Sequence, residues 1–185
     1  LDYSVKDYFK VNIAPATFNI RRSYLKSYFS YLVKENIISD NPIDFPKRQD
    51  KGKPKNIAEA ILKKLLLLPN KKTFSGLRDY CLILLTLDTG IRPQEALSLL
   101  PDDINLQGME ITIRKETSKT KVIRTLPISP QTTAYLVKLL KARNKLWNDS
   151  IPVFCSWDGK EMLRSSWSHR LKKYGDRIKY PITPY

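Results

Sequence analysis

Apolar side chains recur along this chain first at helical and then at strand intervals. From Ala16 to Glu35, Phe18, Leu25, Phe29 and Leu32 follow steps of seven, four and three, the stripe of an amphipathic helix. Ser4 to Lys10 predicts a shorter helix, closed by Ala14-Pro15. Asn41-Pro42 and Phe45-Pro46 then stop the helical pattern. It resumes over Ile57 to Leu68. Leu77 to Leu87 is apolar nearly all round and exceeds a typical strand, so it predicts a buried helix. After Pro101-Asp102-Asp103, which predicts a turn, the period falls to two. Met109, Ile111 and Ile113 are expected on one face of a strand, with Glu110, Thr112 and Arg114 on the other. Val122 to Ile128 predicts its antiparallel partner, across the polar connection KETSKT. Pro130 to Trp147 is a second amphipathic helix, with Tyr135, Leu136, Leu139 and Leu140 inward and Lys138, Lys141, Arg143 and Lys145 outward. A short apolar segment, Ile151 to Cys155, leads to a turn at Trp157-Asp158-Gly159-Lys160. Met162 to Tyr174 is the last helix, with Leu163, Trp167 and Leu171 as its stripe. The fold class is mainly α with a small antiparallel β-sheet.

Composition narrows the partners. The 185 residues carry 33 Lys and Arg against 18 Asp and Glu, a net charge of +15, while 42% hydrophobic residues suffice for a core and exclude disorder as the source of the charge. A folded basic chain points to a polyanion, most often nucleic acid; a basic proteome or an anionic membrane surface is the bland alternative. The excess is not a tail, since 11 basic and 6 acidic residues lie up to Lys55 and 22 and 12 beyond it. Lys47 to Lys55, KRQDKGKPK, has no apolar residue except proline and is expected to be an exposed basic linker. It divides residues 1–46, a small helical piece, from residues 56–185, a mainly helical domain with the sheet. Two cysteines without ligand spacing and one histidine exclude a zinc site of ordinary type. Cys81, in an apolar run, reads as a buried thiol of a reducing compartment. No apolar stretch spans a bilayer, and LDYSVKDYFK lacks the order of a signal peptide, so a soluble cytoplasmic protein is expected.

Candidate chemistry centres on Thr86 to Leu100, TLDTGIRPQEALSLL. Gly90 suits a turn that costs other residues more, and Pro93 suits the first position of a new helix. Arg92 then sits at the mouth of that helix, with Glu95 three residues on and able to hold its guanidinium. On these residues alone, a braced phosphate-binding arginine and a structural salt bridge both stand. Off the stripe of the first long helix lie Arg21, Arg22 and Lys26, interleaved with Tyr24, Tyr28 and Tyr31. Cations among aromatics suit a helix lying along DNA, and equally a solvated face. Lys47 and Arg48 of the linker are further candidates for a duplex backbone.

Several of these stretches, taken together, resemble the tyrosine recombinases, the phage-integrase class of site-specific DNA recombinases. TGIRPQEALSL resembles the family's first arginine motif, with GLRDYCLILLTLDTG as the buried helix before it and PDDINL as the turn after it. SKTKVIRTLPIS resembles the β-hairpin whose lysine precedes an Arg-x-x-Pro ending. Lys119 falls 27 positions after Arg92, five before Arg124 and eight before Pro127, as in the family. VFCSWDGKEM looks like the Phe…Asp-Gly-Lys segment, PITPY like the approach to the second arginine motif, and APATFNIRRSYLKSYFSYLVKENIISDNP like the latter part of the family's helical, SAM-like core-binding domain.

The resemblance implies a partial core-binding domain over residues 1–46 and the first part of a catalytic domain over 56–185. It implies cleavage of double-stranded DNA by a tyrosine, through a 3′-phosphotyrosine link, with no metal and no cofactor. Arg92 carries over as a phosphate-clamping arginine, Glu95 as its supporting acid, and Lys119 as the proton donor to the leaving 5′-oxygen. Lys115 and Lys121 are then phosphate or solvent contacts. Arg124 is a sheet-edge charge or a DNA contact, the former preferred. The second arginine, its histidine and the nucleophile are not matched by any residue; neither Tyr185 nor His169 has the right context. The expectation is thus a fragment of a recombinase that binds DNA without cleaving it, monomeric where the whole protein would act as a tetramer on DNA. A non-catalytic DNA-binding regulator of the same fold and an RNA-binding basic protein are the competing readings.

Overall fold

The computed structural model describes residues 12–49, 56–118 and 121–184. The expected helix over Ser4 to Lys10, Lys51 to Lys55, Lys119 and Tyr185 lie outside them. The chain forms two compact units, Leu1–Asn56 and Ile57–Tyr185.

The first unit is built on α1, Pro15–Lys34, entered through Pro15 at its first position, where a missing N–H costs nothing. The expected stripe faces a small core: Phe18 and Ile43 are buried, with Ile13, Leu25, Phe29 and Phe45 packed around them. Polar side chains fasten the returning chain to the helix. Asn41 Nδ2 donates to Lys26 O (2.9 Å) and Ser30 Oγ (2.7 Å), and Asn19 exchanges two hydrogen bonds with the Arg48 backbone. One expectation is corrected here. Arg22, placed off the stripe as a DNA contact, is only 8% exposed; its Nε donates to Phe45 O at 2.6 Å and its guanidinium lies over the Phe45 ring. Burying this cation lets its planar face cover an aromatic edge while the fork satisfies a carbonyl. Arg48, expected in an exposed linker, is exposed, and its guanidinium lies 4.0 Å from the Phe18 ring centre and reaches Ile13 O at 3.4 Å.

The second unit has α3, Phe74–Thr89, at its centre, preceded by α2, Glu59–Leu67. Thr73 caps α3 by accepting from Gly76 N at 3.1 Å. Cys81, Leu82, Ile83 and Leu85 are buried on successive faces, as the all-round apolar run predicts. A short helix α4, Pro93–Leu97, and a 3₁₀ turn, Pro101–Asp103, lead into a three-stranded antiparallel sheet. Its strands are β1 Ile104–Asn105, β2 Glu110–Ile113 and β3 Arg124–Pro127, in the order β1-β2-β3. Ile111 and Ile113 point into the core opposite Leu126 and Arg124. Helices α5, Pro130–Lys141, and α6, Arg164–Arg177, complete the unit.

The sheet differs from expectation at both ends. Two-residue β1 falls within PDDINL, where a turn is expected. β3 begins at Arg124 rather than Val122, because β2 ends at Ile113, the partner of Arg124; Val122 and Ile123 find no ladder and are exposed. Met109 is not on the inner face: it lies in the turn before β2 at φ +51°, largely exposed, and its carbonyl accepts from Ile128 N. Helix α5 stops six residues before Trp147. Arg143, expected outward, turns its guanidinium onto the carbonyls of Pro152 and Ile151, both at 2.9 Å, and so terminates the helix against the returning chain. In α6 the stripe is Trp167 and Leu171, while Leu163 is an exposed N-cap. The helix continues to Gly175, where a Cβ would stand 2.5 Å from Tyr180 O, so only glycine lets the chain fold back there.

Candidate active site

The connection from α3 to α4 follows the local chemistry of its residues. Gly90 closes α3 in the left-handed conformation at φ +64°, its N–H donating to Thr86 O. Ile91 anchors the turn in the core, and Arg92 takes the N-cap position with extended backbone before Pro93. At the third helical position Glu95 reaches back, and its Oε2 accepts from the Arg92 backbone N at 3.3 Å. Its side chain is 1% exposed, whereas that of Arg92 is 41% exposed. A single contact joins them side chain to side chain, from Arg92 Nη1 to Glu95 Oε1 at 3.2 Å. The guanidinium is held at one edge and leaves its other donors toward solvent.

The stronger partner of Glu95 comes from the sheet. Arg124 Nη2 donates to Glu95 Oε2 at 2.6 Å and its Nη1 to Oε1 at 3.2 Å, the fork that only arginine offers a carboxylate. Arg124 Nη1 also lies 3.4 Å from the Oγ of buried Ser118. The expected sheet-edge charge is therefore an inward brace, a correction that follows from register, since the first residue of β3 faces Ile113. Burial pushes the Glu95 carboxyl up, but donors from Arg124 and then Arg92 outweigh it and hold it below its ordinary value.

Arg92 and Glu95 line a cleft of about 750 Å³, together with Ser118, Lys121 and Arg164. Lys121 is exposed, with φ +56°. Sequence reasoning missed Arg164, which opens α6, because nothing local distinguishes it from other basic surface residues. Lys119 lies outside the described residues, so its place relative to this cleft is not part of the geometry. The remaining candidates belong to the first unit: Lys26 and Lys47 are exposed, Arg21 is half-buried, and Arg22 and Arg48 are engaged as described. Tyr24, Tyr28 and Tyr31 are exposed along α1.

Sequence reasoning also missed a second charged cluster, hidden in the run LRDYCLILL. Asp79 is fully buried and accepts at Oδ1 from Arg78 (Nη2, 2.7 Å) and at Oδ2 from Arg170 (Nε, 2.7 Å) and Tyr174 (Oη, 2.8 Å). Arg78 Nη1 donates to Cys155 O at 2.7 Å. The signal was two charges inside an otherwise apolar helix, which must be paired if the helix is buried. Cys81 is an inert thiol, its pKa pushed up to about 12 by burial. Among the described residues no group of three or more His, Cys, Asp or Glu side chains could hold a metal ion, and no helix is long and apolar enough to cross a membrane.

Comparison with known proteins assigns this helical domain with its small antiparallel sheet to a class. The model of the phage integrase family matches residues 55–185. The chain belongs to this family, the tyrosine recombinases. It is 31% identical over 170 residues to tyrosine recombinase XerC of Psychromonas ingrahamii, covering 90% of the chain and 52% of that protein. It is 28% identical over 171 residues to tyrosine recombinase XerD of Pseudomonas putida, covering 88% and 56%. The chain thus spans about half the length of the curated relatives it matches. Among solved structures, the Tn1549 transposon integrase in complex with circular intermediate DNA aligns with a TM-score of 0.70 at 19% identity, over 94% of this chain and 64% of that one. The XerH site-specific recombinase bound to its palindromic difH substrate aligns with a TM-score of 0.68 at 22% identity, over 92% and 50%. At these identities the likeness is one of fold.

Proposed function

We propose that the full-length protein cleaves and rejoins double-stranded DNA at specific sites through a 3′-phosphotyrosine link. Residues 1–46 would act as part of a helical core-binding domain, 47–55 as a linker, and 56–185 as the first part of the catalytic domain. Arg92 binds non-bridging oxygens of the scissile phosphate and meets the charge that develops on them. Glu95 fixes Arg92. Lys119 gives the proton to the leaving 5′-oxygen, a role open to lysine because its side chain is ordinarily protonated at neutral pH. Lys121 contacts phosphate beside them; Arg21, Lys26 and Lys47 add sequence-independent contacts. The work is done in a cytoplasmic setting, by a tetramer assembled on DNA. Residues 1–185 alone bind DNA as a monomer without cleaving it, because the nucleophile and second arginine of the family's motifs have no counterpart in them.

The observation that carries this reading is the asymmetry of the Arg92–Glu95 pair. A sealed carboxylate here holds, by one side-chain contact, an arginine that opens into a cleft with Lys121 and Arg164. The test is covalent adduct formation by the full-length protein on a nicked duplex that traps the intermediate. An adduct that Arg92→Lys and Lys119→Ala nearly abolish, with DNA affinity kept, is the expected result. Tight duplex binding with no adduct from the unaltered protein would favour the non-catalytic DNA-binding regulator instead.

A further inference from the structure

Glu95 is one negative charge between two arginines, and the two hold it unequally. Arg124 engages both carboxylate oxygens, at 2.6 and 3.2 Å, while the Arg92 side chain touches only Oε1, at 3.2 Å. A carboxylate removed from water needs a full complement of donors. With Arg124 supplying the fork, one guanidinium neutralises Glu95 and the charge of the other is left for the cleft. Without Arg124, the buried carboxylate would draw the fork of Arg92 onto itself, and the cleft would face a neutral pair.

We propose that Arg124 is a positioning residue that keeps Arg92 available: it takes up the charge of Glu95 so that Arg92 is oriented but not consumed. It acts through Glu95, to which both its Nη atoms donate, Nη1 also lying 3.4 Å from Ser118 Oγ. This rests on the reading of Arg92 as a phosphate ligand. Among the described residues, the other charged side chains that face the cleft are Glu116 and Lys121 from the hairpin connection and Arg164 from α6.

The experiment measures single-turnover adduct formation on a nicked duplex by the full-length protein, between about pH 5 and pH 8, where an ordinary carboxylate begins to protonate at the lower end. DNA affinity is measured alongside. Arg124→Gln is expected to slow the reaction roughly ten- to hundred-fold, the cost typical of losing a partner that orients a reacting group, with affinity nearly unchanged. Arg124→Lys, which keeps the charge but not the fork, is expected to recover part of the rate. In Arg124→Gln the rate gains an acid limb that the parent lacks, rising toward low pH, because Glu95 has lost its principal donor and its protonation there releases the Arg92 fork. Adding Glu95→Gln removes the limb, whereas adding Glu116→Gln leaves it. A parental rate and pH profile in Arg124→Gln overturns the proposal and leaves the role of Arg92 standing. Equal losses in Arg124→Gln and Arg124→Lys with no acid limb also overturn it, since they mark a role in folding only. If Arg124→Gln does not fold, Arg124→Lys decides: a rate below the parent supports the proposal and a parental rate overturns it. A parent protein that forms no adduct overturns the functional reading, and this proposal with it.

Discussion

Asp79 and Glu95 of the second unit are each sealed from water and each held by two arginines, and their surroundings differ. Around Asp79, Arg78 is itself buried and divides its donors between Asp79 and Cys155 O, and Tyr174 and half-exposed Arg170 complete the shell from α6. Around Glu95 the shell is left open on one side, where Arg92 reaches the cleft. The first cluster ties α3 to α6 and to the segment at Cys155. The second uses the same pairing to aim a charge outward. Each cluster has one half-exposed arginine, Arg170 at 39% and Arg92 at 41%; what separates them is that Arg170 gives Asp79 two donors, Nε and Nη2, whereas Arg92 reaches Glu95 side chain to side chain through Nη1 alone.

Mutations that remove each acid should break this comparison in opposite ways. Asp79→Ala leaves Arg78 buried without its counter-charge and should cost about 3–5 kcal/mol of stability, read as a loss of folded protein in urea titration, with no separate effect on DNA chemistry in whatever fraction folds. Arg92→Lys should change stability little but slow adduct formation by roughly 10²–10³, the cost of removing a donor to developing oxyanion charge. Glu95→Gln should fall between them, costing about 1–3 kcal/mol for an imperfectly replaced buried acceptor, because both arginines can turn to solvent.

Glu95 also adds a pH signature. Its folded pKa lies below the ordinary value, so the stability it contributes is present above the unfolded carboxylate pKa of about 4.3 and is lost as pH falls through the folded value. The stability gap between the parent and Glu95→Gln should accordingly close in acid; a gap that widens there would show that the carboxyl is not held ionised. The smallest effect is expected from Lys26→Met against Arg22→Met in the first unit. Lys26→Met should lower the salt slope of duplex binding by about one without loss of stability. Arg22→Met should weaken the unit and leave the slope alone, since its guanidinium is already spent on Phe45.

The difference between Arg22 and Lys26 also marks how far sequence can be read. Both lie off the apolar stripe of α1, but the return of Phe45 to the helix, 23 residues away, gives Arg22 a carbonyl and a ring that periodicity cannot foresee. Arg143 is a similar case. Its outward place on a helical wheel ceased to apply once the chain at Ile151 and Pro152 came back against it.

By itself the sequence determined whatever depends on bonds along the chain. The periods of apolar residues specified helices and strands, Gly90 the left-handed stop of α3, Pro93 the start of α4, and the three-residue step from Arg92 to Glu95 their contact. All of these are local: a turn of helix or one pair of dihedrals sets them. Only tertiary structure decided what those residues meet. Arg124 is 29 positions from Glu95, and Arg170 is 91 from Asp79. Such pairs are made by strand register and helix packing, and desolvation, which charges the same cost to any unpaired ion, selects among them. The motif around Arg92 could be read from the chain as an arginine with a supporting acid. That the acid is shared with a strand residue, and so leaves Arg92 free to face the cleft, is a property of the fold.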